Sequence, residues 1–199
     1  GGMPRPFLGT GYSTPAWSPD NARLAYIASS TPGDPMSLAD RTGADARPLV
    51  VKGPGPEAFF RRGVHSHNPV WSPDGQWLAF SSTQFGNNDV YLMPLVGGDI
   101  KQLTFHDGND EVDSWAWDSK TIYFTSGRYN NYAGYSITVK GGTPKRLFNN
   151  YFNTVHNVVE HPKTGELFFN DTWESKNFAQ RKRYKGAYNP DIQSYNTET

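Results

Sequence analysis

His65 and His67 are the first side chains in this sequence whose type and spacing could support chemistry. In a β-strand, residues i and i+2 point to the same face, so the two imidazoles could ligate one metal ion. His106 and His156 fall in comparable loops, but their positions do not repeat the pattern of this pair. The sequence therefore favours histidines that line a channel or a turn, and a metal site is the alternative.

An acidic run from Asp107 to Asp113 is the second candidate. Asp107 and Asp110 offer oxygen ligands at close spacing around Gly108, which is a feature of calcium loops. The run lacks the twelve-residue pattern that ends in a bidentate glutamate. We therefore expect a solvated turn whose aspartates accept hydrogen bonds from the backbone, with calcium binding as the alternative.

Basic and aromatic residues are interleaved in two further segments, around Phe59 and between Trp173 and Lys185. This mixture can hold single-stranded nucleic acid or an anionic surface of a protein. The chain has 19 Lys and Arg against 19 Asp and Glu, so its zero net charge does not favour nucleic acid. A protein or peptide is the predicted partner, and loops that are solvated or packed on the fold are the alternative. The predicted binding residues are Phe59, Arg61, Trp173, Arg181, Arg183 and Tyr184.

Other classes of site are excluded by what the sequence lacks. There is no cysteine, which removes disulfides, thiolate metal sites and cysteine nucleophiles. The Gly-x-Ser-x-Gly elbow, the P-loop and the dinucleotide fingerprint are absent, so we predict no catalytic residue and no cofactor. No run of about 18 apolar residues predicts a transmembrane helix, and no apolar leader is evident. Periplasm and cytoplasm both stay open as compartments.

An internal repeat indicates the secondary-structure elements that position these residues. Pro15-Ala16-Trp17-Ser18-Pro19-Asp20 recurs as Pro69-Val70-Trp71-Ser72-Pro73-Asp74, and each copy is followed by a short apolar strand. Weaker copies surround Trp117 and Glu160, which gives spacings of 54, 46 and 43 residues. A period in the forties with frequent turns is typical of a four-stranded propeller blade. We expect Trp17, Trp71 and Trp117 to pack between blades.

The repeat predicts an all-β fold, a β-propeller of four-stranded antiparallel blades with four blades per chain. The blades are expected at about residues 9–50, 66–104, 111–148 and 155–199, in one domain over 4–199 that follows a tag remnant at 1–3. The last copy lacks its outer strand, and Arg5-Pro6-Phe7-Leu8 resembles the outer strands of the other copies. Residues 4–8 are therefore predicted to complete the fourth blade and close the ring, which would leave no open sheet edge.

The Trp-Ser-Pro-Asp-Gly turn, the Gly-Gly turn and the Lys-x-Leu-Thr ending resemble the TolB-like repeats, also called PD40 or WD40-like repeats. The resemblance covers about residues 4–198, and the second half is similar to propellers of tricorn-protease-like peptidases. It implies a docking or gating module, because such peptidases keep their nucleophile in a separate domain. Family members usually carry six or seven blades. Four blades would each have to turn by about 90°, so we expect two chains to form one eight-bladed ring at about 45° per blade.

We therefore predict a non-catalytic propeller scaffold that binds protein or peptide and forms a homodimer. The mixture of two repeat types indicates a mosaic or engineered chain, and the count of four blades leaves a piece of a longer propeller as a second possibility. The resemblance to a lyase branch of similar propellers implies one alternative function, a metal-dependent polysaccharide lyase with His65 and His67 as ligands. The others are a gating domain of a larger serine peptidase and a repeat protein without any ligand.

Overall fold

The computed structural model describes residues 13–28, 36–49, 65–96, 99–130, 132–148, 154–171 and 192–196. These residues form four antiparallel sheets, in which hydrogen-bonded neighbours follow chain order. The first sheet has β1 (Ser13–Trp17), β2 (Arg23–Ile27), β3 (Met36–Asp40) and β4 (Arg47–Pro48). The second has β5 (Ser66–Trp71), β6 (Trp77–Ser82), β7 (Asp89–Pro94) and β8 (Lys101–Gln102).

The third sheet has β9 (Asp110–Trp115), β10 (Thr121–Ser126), β11 (Ala133–Thr138) and β12 (Lys145–Arg146). A short 3-10 turn, Arg128–Asn130, lies between β10 and β11. The described strands of the fourth sheet are β13 (His156–Glu160), β14 (Leu167–Asn170) and β15 (Ile192–Tyr195). In the described part of the chain, no helix is long and apolar enough to cross a membrane.

The hydrophobic core lies between neighbouring sheets. The first strand of each sheet contacts the first strand of the next, so β1, β5, β9 and β13 form an inner layer. One cluster joins Ile27 and Met36 of the first sheet to Phe80 and Tyr91 of the second. Two further clusters join the second sheet to the third and the third to the fourth. A sheet sandwiched in this way needs apolar residues on both faces, which explains the unbroken apolar runs in β6 and β7.

The Ser-Pro-Asp turns connect the first and second strands of the repeats. Ser72 Oγ donates to Asp74 Oδ1 at 2.5 Å and accepts from the Trp77 amide at 3.0 Å. Ser18 and Asp20 make the same pair in the first sheet. The residue after the aspartate position has positive φ in each of the four sheets. In chain order, these residues are Asn21, Gly75, Ser119 and Gly165. Only this part of the turn demands a left-handed backbone, which glycine adopts most readily.

The predicted all-β blades are confirmed, but the alignment of the third copy at Trp117 is wrong. Trp17, Trp71 and Trp115 pair with Leu24, Leu78 and Ile122, so Trp115 is the equivalent residue. Trp117 lies beyond β9 and is 54% exposed. Two tryptophans stand two residues apart here, and strand pairing rather than residue type decides which one belongs to the strand. The predicted closing strand 4–8 lies outside the described residues.

Candidate functional site

The first residues of β5 and β7 and the last residue of β6 lie at one end of the second sheet. Antiparallel register places Ser66, Ser82 and Asp89 side by side there, at the start of β5, the end of β6 and the start of β7. We call this end, which carries the connections 83–88, 105–109 and 127–130, the loop end. The Ser-Pro-Asp turns lie at the opposite end.

Every inner strand carries a bulge near its start. One extra residue is accommodated between Ser13 and Ala16, between His67 and Val70, and between His156 and Val159, and β9 has a register shift at the same level. Thr14, Asn68 and Asn157 have φ of 47°, 49° and 54° at these bulges. A non-glycine residue with positive φ is uncommon, and for β-branched threonine it is unfavourable. Bulges of this kind redirect side chains and are frequent beside functional sites.

A cleft of about 410 Å³ lies at the level of the bulges, and we call it the axial cleft. Its wall contains residues from all four inner strands. The described residues that line it carry two carboxylates and no basic side chain: Thr14, Pro15, Asn68, Pro69, Val70, Glu111, Val112, Asp113 and Asn157.

Asp113 is held in place from two sides. Its Oδ2 accepts a hydrogen bond from Thr125 Oγ1 at 2.8 Å and one from the Val158 amide at 3.2 Å. The second bond ties β9 to β13, because Val158 belongs to the bulge of the next sheet. Thr14 lines another part of the cleft, and its Oγ1 is buried beneath the surface and makes no hydrogen bond. The cleft wall therefore carries one carboxylate that is fixed from two sides.

Exposed aromatic side chains mark the loop end beside the second and third sheets. Phe85 is 69% exposed, Phe105 is 76% exposed and Tyr129 is 78% exposed. His106 contacts the Tyr129 ring edge-on, with 5.8 Å between the ring centroids. Aromatic side chains are enriched at protein interfaces, so several of them exposed at one end of the sheets indicate a surface that binds a partner.

The three connections that carry these aromatic residues are bonded to one another. Asn87 Nδ2 donates to the carbonyls of His106 at 2.7 Å and Gly108 at 3.1 Å. The Asn88 amide donates to Asn109 Oδ1 at 3.0 Å. Gly108 lies so close to the third connection that an added Cβ would stand 2.9 Å from the Arg128 nitrogen. The loop end therefore presents its aromatic residues on a fixed support.

A buried cluster of charges lies directly below these connections. Arg128 Nη2 contacts Asp110 Oδ2 at 2.7 Å, and both side chains are almost fully buried. Asp89 accepts hydrogen bonds from Gln102 Nε2 and Thr104 Oγ1, each at 3.0 Å. Burial, with a smaller contribution from the nearby carboxylate of Asp110, raises the pKa of Asp89 to about 6, although the hydrogen bonds from Thr104 and Gln102 and the charge of Arg128 act to lower it. The Arg128 guanidinium thus forms an ion pair with Asp110 and also attracts the carboxylate of Asp89 electrostatically.

The candidate metal ligands fall into these surroundings. His65 and His67 share one face, as expected, with ring centroids 6.3 Å apart. Within the described ranges, no group of three or more His, Asp, Glu or Cys side chains could hold a metal ion. The acidic run was predicted to be a solvated turn. Instead, Asp110 is the first residue of β9, and its buried carboxylate forms an ion pair with the Arg128 guanidinium. Asp107 stays in the connection.

The predicted binding residues Phe59, Arg61, Trp173, Arg181, Arg183 and Tyr184 lie outside the described residues. The axial cleft and the aromatic loop end were missed by the sequence analysis. One signal was available, since Thr14-Pro15 and Asn68-Pro69 stand at the same place in two repeats. A residue before proline is restricted in its backbone, so a recurring X-Pro pair inside a strand indicates an irregularity.

Comparison with known proteins agrees with this architecture. Residues 38–199 match the family model described as the tricorn protease N-terminal beta propeller domain. A stretch of 88 residues is 32% identical to the Tol-Pal system protein TolB of Thioalkalivibrio sulfidiphilus, which covers 44% of this chain and 19% of the relative. The chain thus spans about a fifth of the length of that relative.

Two solved structures share the fold. The crystal structure of TolB from Acinetobacter baumannii has a TM-score of 0.65 at 23% identity, over 94% of this chain and 41% of the other. The crystal structure of the tricorn protease has a TM-score of 0.64 at 15% identity, over 92% of this chain and 17% of the other. At such identities the likeness establishes the propeller fold and nothing finer.

Proposed function

We infer the function from one premise, that this chain belongs to the family of tricorn protease N-terminal beta propeller domains. We propose that it is a scaffold that binds a protein or peptide at the loop end and performs no chemistry of its own. A propeller related to those of TolB and of peptidases fits such a role. Sites of this kind are loops held by a rigid framework.

The exposure of Phe85, Phe105 and Tyr129 at one end of the sheets carries this proposal. Each ring leaves most of its surface in water, although aromatic residues are the usual anchors of protein interfaces. The supporting hydrogen bonds of Asn87 and Asn88 fix the connections before a partner arrives. A surface ordered in advance loses less conformational entropy on binding, which favours affinity.

A peptide selection tests the proposal. A displayed library of random peptides is panned against the immobilised chain, and selected peptides are measured by fluorescence anisotropy. Phe105→Ala and Tyr129→Ala are expected to weaken binding about tenfold or more each, as for interface anchors. Val96→Ala is the matched control, because Val96 is 91% exposed at the opposite end. Equal affinities for all three variants, or no selected peptide, would contradict the proposal.

The alternative role as a propeller module of a larger serine peptidase is favoured by the family match. In that case the partner at the loop end is a peptide on its way to an active site in another domain. Adding the chain in trans to a matching protease domain tests this role. Selective protection or delivery of peptides that bind the loop end would support it, and no change in cleavage would contradict it.

We also propose that two chains associate into one eight-bladed ring. The proposal rests on the predicted blade division and on the small rotation per blade that a larger ring requires. The mass in solution, measured by light scattering, is expected to be twice 22.2 kDa. A monomer at all concentrations would refute the ring of two chains and leave the binding proposal standing.

A further inference from the structure

Arg128 precedes the exposed Tyr129 in the connection 127–130, and its side chain is buried beneath the loop end. Its Nη2 contacts Asp110 Oδ2 at 2.7 Å, and the two side chains are 8% and 0% exposed. Its Nε donates to Ser126 Oγ at 2.7 Å. The guanidinium also lies over the ring of Tyr135, 4.8 Å from the ring centroid. Residues from β9, β10 and β11 therefore hold this one side chain.

The backbone of Tyr129 has a conformation that its side chain does not favour. Its φ is 61° and its ψ is 32°, which is the left-handed region. A residue with a Cβ keeps this conformation where the surrounding structure imposes it. The two residues before it are fixed, because Arg128 is anchored to Asp110 and the Gly127 amide donates to the Asn109 carbonyl at 2.8 Å. The chain thus enters Tyr129 from a set direction, and the ring is 78% exposed.

We propose that Arg128 is a positioning residue of the loop end, whose buried ion pair with Asp110 holds Tyr129 in the orientation that binds the partner. This inference rests on the proposed function and names the contact that arranges its binding surface. Arg128 does not itself touch the partner, because its side chain is buried. It acts through Tyr129, whose ring it keeps beside His106.

His106 is fixed independently on the other side of this aromatic pair. Its Nδ1 accepts a hydrogen bond from the Gly108 amide at 2.9 Å, and its carbonyl accepts one from Asn87 Nδ2 at 2.7 Å. Its ring contacts the Tyr129 ring edge-on, with 5.8 Å between the centroids. Since His106 is held by its own connection, the position of Tyr129 decides whether the pair forms.

The ion pair has a clearer consequence for geometry than for stability. Burying two opposite charges costs about as much as their attraction gains, and apolar residues of similar volume often fill such a space equally well. Apolar residues cannot reproduce the direction of the contact. The planar guanidinium meets Asp110 and Ser126 through hydrogen bonds that fix its orientation. The pair therefore specifies where the connection 127–130 lies.

NMR spectra of the free chain test the hold on Tyr129 without any partner. The test variant, which we call the neutral-pair variant, carries Arg128→Met together with Asp110→Asn, so that neither member of the pair stays buried without the other. The nuclear Overhauser effect between the rings of His106 and Tyr129 is expected to disappear. The amide signals of the first and fourth sheets are expected to stay in place, which checks the fold. An effect that persists in this variant would overturn the proposal.

Two single variants complete this experiment. Arg47→Met is the matched control, because Arg47 contacts Asp45 in an exposed pair at 3.7 Å, and it should leave the ring contact unchanged. Arg128→Lys keeps the charge but lacks the planar fork, so the effect should persist at reduced intensity. Loss of the ring contact in the control, or a loss in Arg128→Lys as complete as in the neutral-pair variant, would overturn the role of the ion pair.

A double-mutant cycle on peptide affinity shows whether Arg128 acts through Tyr129. Selected peptides are measured against the neutral-pair variant, against Tyr129→Ala and against the combination of the two. The neutral-pair variant should weaken binding about five- to tenfold, and it should cause no further loss once Tyr129→Ala is present. Losses that multiply in the combination would overturn the proposed route through Tyr129.

The outcomes are separable from those of the proposed function. A ring contact that is lost in the neutral-pair variant, with no peptide selected at all, would support the hold on Tyr129 and contradict the binding function. Selected peptides that bind the neutral-pair variant as tightly as the unmodified chain would overturn the positioning role and leave the binding function intact.

Discussion

Trp71 donates its indole N–H to the backbone carbonyl of Ala16 at 2.9 Å, which ties the inner strand of the second sheet to that of the first. Trp115 makes the same bond to Val70 at 3.0 Å, one sheet further on. At the next junction Glu160 stands where a tryptophan would be, and Trp117 donates in the reverse direction to the Glu160 carbonyl at 2.8 Å. Each described junction between sheets thus has one indole hydrogen bond.

Replacing Trp71 should loosen the first junction. Trp71→Phe keeps an aromatic ring but loses the bond to Ala16, so we expect the free energy of unfolding to fall by about 1–2 kcal/mol, the cost of leaving a partly buried carbonyl without its donor. Trp117→Phe is the control, since its bond is exposed and should cost less. Urea denaturation measures both. An equal loss in the two variants would show that the buried position of Trp71 does not matter.

Stability should depend on pH through Asp89. Its pKa is about 6 in the folded chain and near 3.8 when unfolded, so the folded state binds the proton more tightly. The contribution of Asp89 is fully present below pH 4 and is lost as the pH rises to 6, by about 3 kcal/mol at most. Asp89→Asn should remove this dependence. Compared with the unmodified chain at the same pH, the variant should therefore be more stable at pH 7 than it is at pH 4.

Asp20→Asn provides the opposite control for the pH experiment. Hydrogen bonds from Ser18 and then from the Ala22 amide lower the pKa of Asp20, so its contribution is present at neutral pH and is lost in acid. Thermal melting curves of both variants and the unmodified chain, recorded from pH 3 to pH 8, measure the differences. Parallel curves for Asp89→Asn and the unmodified chain would exclude a raised pKa for Asp89.

The positive-φ position of the Ser-Pro-Asp turns should respond to glycine in a predictable direction. Asn21→Gly is expected to stabilise the chain by up to about 1 kcal/mol, because φ at this position is 56° and glycine has no Cβ strain there. Gly75→Ala should cost about 1 kcal/mol by the reverse argument. Its new Cβ would stand 3.9 Å from Pro19, so strain and not a clash is being measured. Shifts of the same sign in both variants would contradict the turn geometry.

Removal of the N-terminus tests the predicted ring closure. Deleting residues 1–8 should lower the melting temperature clearly, because the fourth sheet would lose its predicted outer strand. Deleting only residues 1–3 is the control and should change nothing. Calorimetry on both truncated chains measures the effect. Identical melting of the two would refute closure by residues 4–8.

Much of the framework was accessible from the sequence. The spacing of Trp17 and Trp71, the Ser-Pro-Asp turns and the apolar runs after them predicted antiparallel sheets, and the described strands have that order. These features depend on residues close together in the chain, where turn geometry and burial on both faces dictate residue type. Reasoning from neighbouring residues alone wrongly aligned Trp117 with Trp17 and Trp71, and it placed Asp110 in a turn.

The sequence by itself determined the repeat, the all-β architecture and the family, because each blade carries its own turns and its own apolar strands. Only the tertiary structure decided which residues meet at the axis and at the loop end. Glu111 and Asn157 come together in one cleft because inner strands of separate repeats lie side by side, and Asp110 is buried because Arg128 folds back onto it. Contacts between sheets depend on packing across more than 40 residues of chain, which leaves no local pattern to read.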